Sequence, residues 1–166
     1  MSKLQKSCLF CALLITQFAS GPVVASENTK NLSDEKAVLS VLQRYHDALQ
    51  ALTVEGTFDL FTEGAQVYEQ GGVEGTYQHY VDHHLGPELG HFERFIFSEY
   101  NADAQILDDT ALATQTYQYT IVTKGSDEKP SRTIEKQGLA TSVLVKTDDG
   151  WKIKRTHSSS RAIKKK

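Results

Sequence analysis

The chain has 166 residues, a formal net charge of −3, six histidines and two cysteines. This length suits one domain with a buried core, and the mild acidity argues against a nucleic-acid partner. Both cysteines, Cys8 and Cys11, lie in the N-terminal leader described next. The mature chain is therefore expected to fold without disulfides.

The first 25 residues have the pattern of a secretory signal peptide. Lys3 and Lys6 precede the apolar run CLFCALLI, and small residues around Ala25 fit a cleavage site. The apolar run is too short to span a bilayer as a stable helix. The sequence predicts a secreted or periplasmic protein of 141 residues (166 − 25) and net charge −5 (−3 − 2), with no membrane association after cleavage.

A polar linker is predicted over 26–32, followed by a long amphipathic helix over 33–52. Ser33 is a suitable N-cap, and the acids Asp34 and Glu35 fall where the helix dipole favours them. The helical spacing is carried by apolar residues, namely Val38, Val41, Leu42, Tyr45, Leu49 and Leu52. This stripe must pack against a large apolar surface.

The middle of the chain predicts short elements. We expect a helical turn over 56–62, a strand over 65–70 and a third helix over 74–85. The pair Gly86-Pro87 is expected to end the third helix, because proline removes a backbone donor.

The remainder predicts β-strands separated by turn signals. The expected strands are 92–100, 104–107, 111–122, 132–146 and 150–157. Helices followed by long hairpins indicate an α+β domain over 33–161, in which a strongly bent antiparallel sheet wraps the long helix. Residues 162–166 form a basic tail.

Three passages resemble the nuclear transport factor 2-like superfamily, in its SnoaL-like bacterial branch. They are VLQRYHDAL in the first helix, FDLFTEGAQVYEQGG, and the ending VLVKTDDGWKIKRTHSSSR. The resemblance covers about 33–161 and implies a cone-shaped sheet closed by helices, with a pocket at the open end. HHLGPEL and HSSSR look like exported, uncharacterised members of that branch.

The resemblance implies several functions. Members include isomerases, dehydratases, cyclases and ligand-binding modules, and many form homodimers through the sheet. Tyr45, Tyr68 and Glu69 are loose stand-ins for the steroid-isomerase residues, without a matching motif. The Asp-Arg-Asp arrangement of the epoxide-hydrolase type has no counterpart here.

Strand alternation predicts which polar side chains point into the cone. In each strand, the apolar residues define the inward face, and polar residues at the same alternation are predicted to share it. The defining residues are Ala65 and Val67 in the first strand, Leu139, Val143 and Val145 in 132–146, and Trp151 and Ile153 in the last strand. On the third helix, His84 shares the apolar stripe. The side chains predicted to face inward are Glu69, His84, Glu135, Arg155 and His157.

Buried charges are costly unless paired, so we expect Arg155 to pair with Glu69 or Glu135. Glu88 is placed to close the mouth of the pocket. With a carboxylate neighbour, His84 or His157 can act as a general base, and the predicted catalytic partner is Glu69 or Glu88. The alternative is a satisfied polar network with a purely structural role.

Four of the six histidines lie between 79 and 91, which raises the question of a metal site. His79 and His83 are one helical turn apart, a spacing used for zinc or copper, with His84 or His91 as a further ligand. A mixed site of His84, His157 and Glu88 is a second arrangement. The alternative is a solvated helix face, and no cofactor is required by the pattern.

After the last strand, Ser158, Ser159, Ser160 and Arg161 offer hydroxyls and a guanidinium that suit a carboxylate or phosphate. The alternative is an ordinary polar strand exit. The sequence thus predicts an exported small-molecule-binding protein with a polar-lined pocket. A lyase or isomerase, a histidine-based metal binder and a structural dimerisation module are the alternatives.

Overall fold

The structure is a computed structural model that describes residues 23–163, with side chains from residue 29 onward. Residues 1–22 of the predicted signal peptide and 164–166 of the predicted tail lie outside the described residues. Among the helices described, none is long and apolar enough to cross a membrane.

The first helix, α1, spans Val23–Gln50. It begins ten residues before the predicted N-cap Ser33, so 26–32 are helical rather than a linker; that stretch contains no glycine or proline to stop a helix. The predicted stripe is confirmed: Val38 and Leu42 are no more than 1% exposed. Asp34 is therefore an interior helix residue that meets the sheet.

Six strands form one curved sheet behind this helix, which confirms the α+β cone. They are β1 Phe61–Glu69, β2 Gly72–Thr76, β3 Phe92–Leu107, β4 Thr110–Thr123, β5 Thr133–Thr147 and β6 Gly150–Ala162. Their spatial order is β2-β1-β6-β5-β4-β3. The prediction of a wholly antiparallel sheet is wrong at one pair, because β1 and β6 run parallel. No hairpin links those two strands, so no tight turn dictates an antiparallel direction.

The segment between α1 and β3 differs most from the prediction. The turn expected over 56–62 is a 3-10 helix, Phe58–Leu60, and β1 starts directly after it. The third helix starts at Tyr77 rather than 74, because β2 forms a hairpin with β1. It consists of α2 Tyr77–Tyr80, a π-helical turn Val81–Leu85 and α3 Gly86–His91.

Gly86-Pro87 does not end this helix, so the predicted stop is wrong. The backbone N–H of Gly86 donates to the carbonyl of Val81, five residues back, which is the π-helical pattern. A Cβ on Gly86 would lie 2.7 Å from that oxygen, so glycine is required there. The wider turn places Pro87 in the first turn of α3, where its missing N–H is tolerated.

The two strands expected over 92–100 and 104–107 are one strand, β3, with a bulge between Ser98 and Asn101. Strand β6 continues five residues beyond the predicted end at 157, so the serine run lies inside the sheet. Strands β4 and β5 match the prediction to within one residue at each end.

The end of the cone near the β5–β6 turn, which we call the closed end, is defined by Asp34, Lys146 and Trp151. The Lys146 ammonium lies 2.6 Å from Oδ1 of Asp34, and the Trp151 indole donates to the same atom at 3.0 Å. These hydrogen bonds, Lys146 first, hold the pKa of Asp34 below its usual value although burial opposes them. These bonds hold α1 against β5 and β6 at this end.

Candidate functional site

A cavity of about 280 Å³ lies between α1 and the concave face of the sheet. Aromatic rings form one side of it, among them Tyr45, Tyr80, Phe95, Phe97, Tyr117 and Tyr119. The rim away from the closed end is polar, and we call it the open end. It is defined by Glu69, Gln70, Glu88, Lys136, Ser158 and Ser160.

The ring wall follows from strand alternation in β3 and β4. Phe95 and Phe97 point inward from β3 with ring centroids 4.7 Å apart, and Tyr117 meets the Phe97 ring edge-on at 5.1 Å. Tyr117 lies across Gly138 of the neighbouring strand, where an added Cβ would be 2.1 Å from its ring. Glycine at 138 is thus what allows this ring its position.

His46 supports the wall from behind. Its ring stacks on Phe97 at 4.1 Å and meets Tyr117 edge-on at 5.3 Å. Burial lowers the pKa of His46 to about 4. Burial likewise raises the pKa values of Tyr45, Tyr80 and Tyr117. The wall is therefore uncharged at neutral pH.

At the open end, His84 is surrounded by three carboxylates, and these four residues with Tyr80 form what we call the His84 cluster. Nδ1 of His84 is 3.0 Å from Glu74, and Nε2 is 3.4 Å from Glu88 and 3.9 Å from Glu69. The Tyr80 hydroxyl donates to Glu69 at 2.8 Å. Three elements, β1, β2 and α3, thus meet at one imidazole.

The cluster shifts the protonation of its members. Burial lowers the pKa of His84, but the hydrogen bond to Glu74 and the charges of Glu88 and Glu69 outweigh it, so the pKa is raised. Burial also raises the pKa of Glu88, with the Glu69 charge adding to the effect and His84 opposing it. The cluster can therefore hold a proton beside the cavity near neutral pH.

Residues 38–163 match a family described as the SnoaL-like domain. The chain belongs to this family. Its fold is also that of solved structures described as NTF2-like, as the sequence resemblance indicated.

Solved structures support the fold. A protein proposed to be a ketosteroid isomerase, from Shewanella frigidimarina, is 26% identical with a TM-score of 0.60, over 74% of this chain and 94% of its own. A protein from Streptomyces avermitilis, proposed to be a dehydratase of the NTF2-like family, is 18% identical with a TM-score of 0.66, over 79% and 98%. The CaMKII hub of S. rosetta is 18% identical with a TM-score of 0.56, over 76% and 96%. No curated protein matches the sequence.

In this SnoaL-like domain, two of the predicted pocket residues line the cavity, namely Glu69 and Glu88. His84 does not itself form the wall, but it contacts both of these carboxylates. The structure therefore brings these three predicted residues together at the mouth of the cone.

The inward direction predicted for Arg155 and His157 is wrong. A bulge opposite Val143 and Leu144 shifts the alternation of β6 after Ile153. Thr156, Ser158 and Ser160 consequently line the cavity, and the two predicted residues are exposed on the convex face.

On that convex face, the Arg155 guanidinium lies 5.7 Å from the ring centre of Tyr68. Nε2 of His157 is 3.1 Å from the backbone oxygen of Gln70. The expected Arg155 ion pair is thus replaced by an aromatic contact, Tyr68 does not line the cavity, and the mixed site of His84, His157 and Glu88 is not assembled.

The phase predicted for β5 is also wrong. Leu139 is 45% exposed, whereas Ala140 and Ser142 are buried on the concave face. Glu135 therefore points outward with Leu139, and its neighbour Lys136 reaches the cavity instead. The apolar set was misleading because a strand that borders an open cavity carries small and polar residues inward.

The serine run lines the cavity, since Ser158, Ser159 and Ser160 all border it. The Tyr119 hydroxyl donates to Ser160 at 3.0 Å, and the Gln70 amide donates to the same oxygen at 2.9 Å. Arg161 is exposed and donates to Gln137 at 3.4 Å, so it does not join the serines in the site.

His79 and His83 stack on each other at 4.2 Å on the exposed helix face. Their Nδ1 atoms lie 3.0 Å from the backbone oxygens of Glu74 and His79, respectively. His91 hydrogen-bonds to the Pro87 oxygen at 2.7 Å. Among the described residues, no three histidine, cysteine or acidic side chains are grouped to hold a metal ion. A zinc or copper site at His79, His83 and His84 stays a prediction.

Sequence reasoning missed Tyr80, Glu74, Lys136 and Gln115 as site residues. Tyr80 precedes His84 by one helical turn, a spacing that was available as a signal. Glu74 was placed in a helix, because β2 was not predicted. Lys136 and Gln115 needed the correct strand phases.

Proposed function

We propose that this SnoaL-like domain binds a small organic molecule inside the cone. The observation that carries the proposal is a cavity of about 280 Å³ with aromatic walls and a polar rim. Such a concave, mostly apolar site with a few convergent polar groups is the usual form of a small-molecule site, and its volume suits a ligand of one or two rings.

Relatives support the proposal. Two proteins of the same fold are proposed to be a ketosteroid isomerase and a dehydratase, names that imply small organic substrates. The chain resembles them in fold, and its own cavity residues supply the argument for binding.

The test is native mass spectrometry of the protein purified from a periplasmic extract, compared between two variants. Ala140→Phe fills the cavity, because Ala140 is buried on the concave face; Thr141→Phe adds the same ring on the exposed convex face. We expect an organic adduct on the wild type and on Thr141→Phe, and none on Ala140→Phe. An adduct that survives Ala140→Phe would show that binding occurs elsewhere, and bare masses throughout, with no compound stabilising the wild type in a thermal-shift screen, would contradict binding.

An acid–base enzyme of the lyase or isomerase type is the second candidate function. It is favoured by the His84 cluster, in which an imidazole contacts two carboxylates that line the cavity. Glu69 or Glu88 would accept a proton from the substrate, and His84 would exchange it with solvent. With the recovered ligand in D₂O, we expect deuterium incorporation that His84→Gln slows; ligand that acquires no deuterium would leave binding as the only role.

We also propose export and homodimerisation. Export is supported by the signal-peptide pattern ending near Ala25. A dimer through the sheet is supported by exposed Leu112 and Leu139 on the convex face. The same mass spectrum tests both: a chain of 141 residues (166 − 25) at twice the monomer mass is expected. An uncleaved chain would contradict export, and a monomer at micromolar concentration would contradict the dimer.

A further inference from the structure

The cavity mouth carries more negative than positive charge. Glu69 and Glu88 border the cavity, and Glu74 lies behind them against His84. The positive groups are His84 and Lys136, whose charge acts on Glu88. Three carboxylates against two bases leave a net charge of −1 even when His84 is protonated. Arg155 adds nothing here, because it lies on the convex face.

Three of the donors at the mouth are engaged within the protein. The Tyr80 hydroxyl donates to Glu69, and the Tyr119 hydroxyl and the Gln70 amide both donate to Ser160. Because three carboxylates face two bases, negative charge is in excess at the mouth, and carboxylate oxygens accept hydrogen bonds from an incoming cation.

Behind the mouth, the wall is built from ring faces. Phe95, Phe97, Tyr117 and Tyr119 form a continuous set with neighbouring centroids 4.7 to 6.4 Å apart. Aromatic faces attract a cation and also pack well against a flat apolar body. The ring wall and the acidic mouth thus favour the same kind of ligand, through two different interactions.

Gln115 supplies a polar group deeper in the cavity. Its side chain lines the cavity and is only 4% exposed. The Tyr100 hydroxyl donates to Oε1 of Gln115 at 3.3 Å. Within the described residues, the Nε2 amide group of Gln115 has no hydrogen-bond partner. Four strand positions separate Gln115 from Tyr119 at the rim, roughly 13 Å at the usual rise per residue.

We propose that the ligand is an organic ammonium ion. Its protonated amine binds Glu69 and Glu88 at the mouth, its ring packs against the aromatic wall, and a hydroxyl or carbonyl at its far end pairs with the free end of the Gln115 amide. This proposal rests on the proposed small-molecule site and specifies the charge of its occupant.

The test uses three probes of nearly equal shape, tyramine, 4-hydroxyphenethyl alcohol and 3-(4-hydroxyphenyl)propanoate, with affinities measured by isothermal titration calorimetry on the mature protein at pH 7. Tyramine is expected to bind at least about tenfold more tightly than the other two, because only the amine carries a positive charge that pairs with the carboxylates. Its affinity is expected to fall as salt rises.

Three variants sharpen the test. Glu69→Gln and Glu88→Gln each remove one carboxylate and should weaken tyramine about tenfold while leaving the alcohol unchanged. Glu63→Gln is the matched control, an exposed acid on the same strand as Glu69 and outside the cavity, and should change neither affinity. Circular dichroism melts would confirm that all three fold.

Equal or tighter binding of the alcohol or the propanoate would overturn the ammonium proposal while leaving the small-molecule site intact. Binding of none of the three probes would also overturn it. The small-molecule site itself fails on a separate result, namely an organic adduct that persists in Ala140→Phe.

Discussion

The two ends of the cone treat charge in opposite ways. At the closed end, Asp34 is 6% exposed and bonds to Lys146 and to Trp151, so one buried acid faces one partly exposed base. At the open end, His84 and Glu88 have side chains 31% and 52% exposed, and three acids surround one imidazole. The two ends therefore contain similar chemical groups in different ratios and at different depths.

This difference separates stability from recognition. A buried charge must be paired, and removing its partner is costly. Charges that remain accessible to water contribute little to stability and are free to bind a ligand. We therefore expect substitutions at the closed end to change the free energy of unfolding, and those at the open end to change binding.

The largest expected effect is at Asp34. Asp34→Ala should lower the free energy of unfolding by about 3 kcal/mol, because it leaves the Trp151 N–H and the Lys146 ammonium without their shared acceptor. Chemical denaturation at pH 7 measures this. Tyramine affinity should not change, since the cavity lining lies elsewhere.

Asp149→Ala is the matched control. Asp149 is 81% exposed and pairs with Lys152 at 3.4 Å on the β5–β6 turn. Its removal should cost no more than about 0.5 kcal/mol. Equal losses in the two variants would refute the distinction between a buried and an exposed carboxylate.

The next effect is expected at Gly138, between the two ends. Gly138→Ala places a methyl group on the Tyr117 ring, so the ring must move into the cavity. We expect a loss of about 2 kcal/mol in unfolding free energy, together with weaker ligand binding. Gly90→Ala is the control, because a Cβ there meets nothing within 4 Å. If Gly138→Ala melts at the wild-type temperature, the packing described for Tyr117 is incorrect.

The smallest expected effect is at His84 and depends on pH. A raised pKa means that the folded state binds the proton more tightly, so this stabilisation is complete below pH 6.5, the ordinary value, and is lost as pH rises through the folded-state pKa. His84→Ala should therefore lose up to about 1 kcal/mol at pH 5.5 and almost nothing at pH 8.5. His83→Ala, an exposed neighbour, should show no such difference; a His84→Ala loss that is larger at pH 8.5 would contradict the cluster.

The sequence carried enough information for the fold and for part of the site. Helical spacing identified the buried stripe of α1, and the turn signals located β4 and β5 to within one residue at each end. Glu69 was placed correctly, because Ala65 and Val67 set the phase of β1, and the bulge opposite Val67 and Tyr68 adds its extra residue, Glu74, to β2 and not to β1. Local patterns succeed where the backbone repeats regularly.

The rest of the site depended on irregular backbone. One bulge reversed the direction of Arg155 and His157, and Glu88, although predicted at the mouth, reaches it through a π-helical turn that was not predicted. A third difference is the β1–β2 hairpin, which brings Glu74 to His84. The bulge, the π-helical turn and the hairpin each cost little energy locally and are stabilised by tertiary packing. A short stretch of sequence therefore does not predict them.

The parallel pairing of β1 with β6 has a consequence for how the chain folds. Gln70 and Ser160 hydrogen-bond across 90 positions of sequence, so the β1–β2 hairpin cannot join the rest of the sheet until β6 is present. Closing so long a loop makes folding slow compared with a helical bundle of the same size. An unfinished chain would expose the edge of β1 and the ring wall together. The binding cavity therefore cannot exist until β6 has been synthesised.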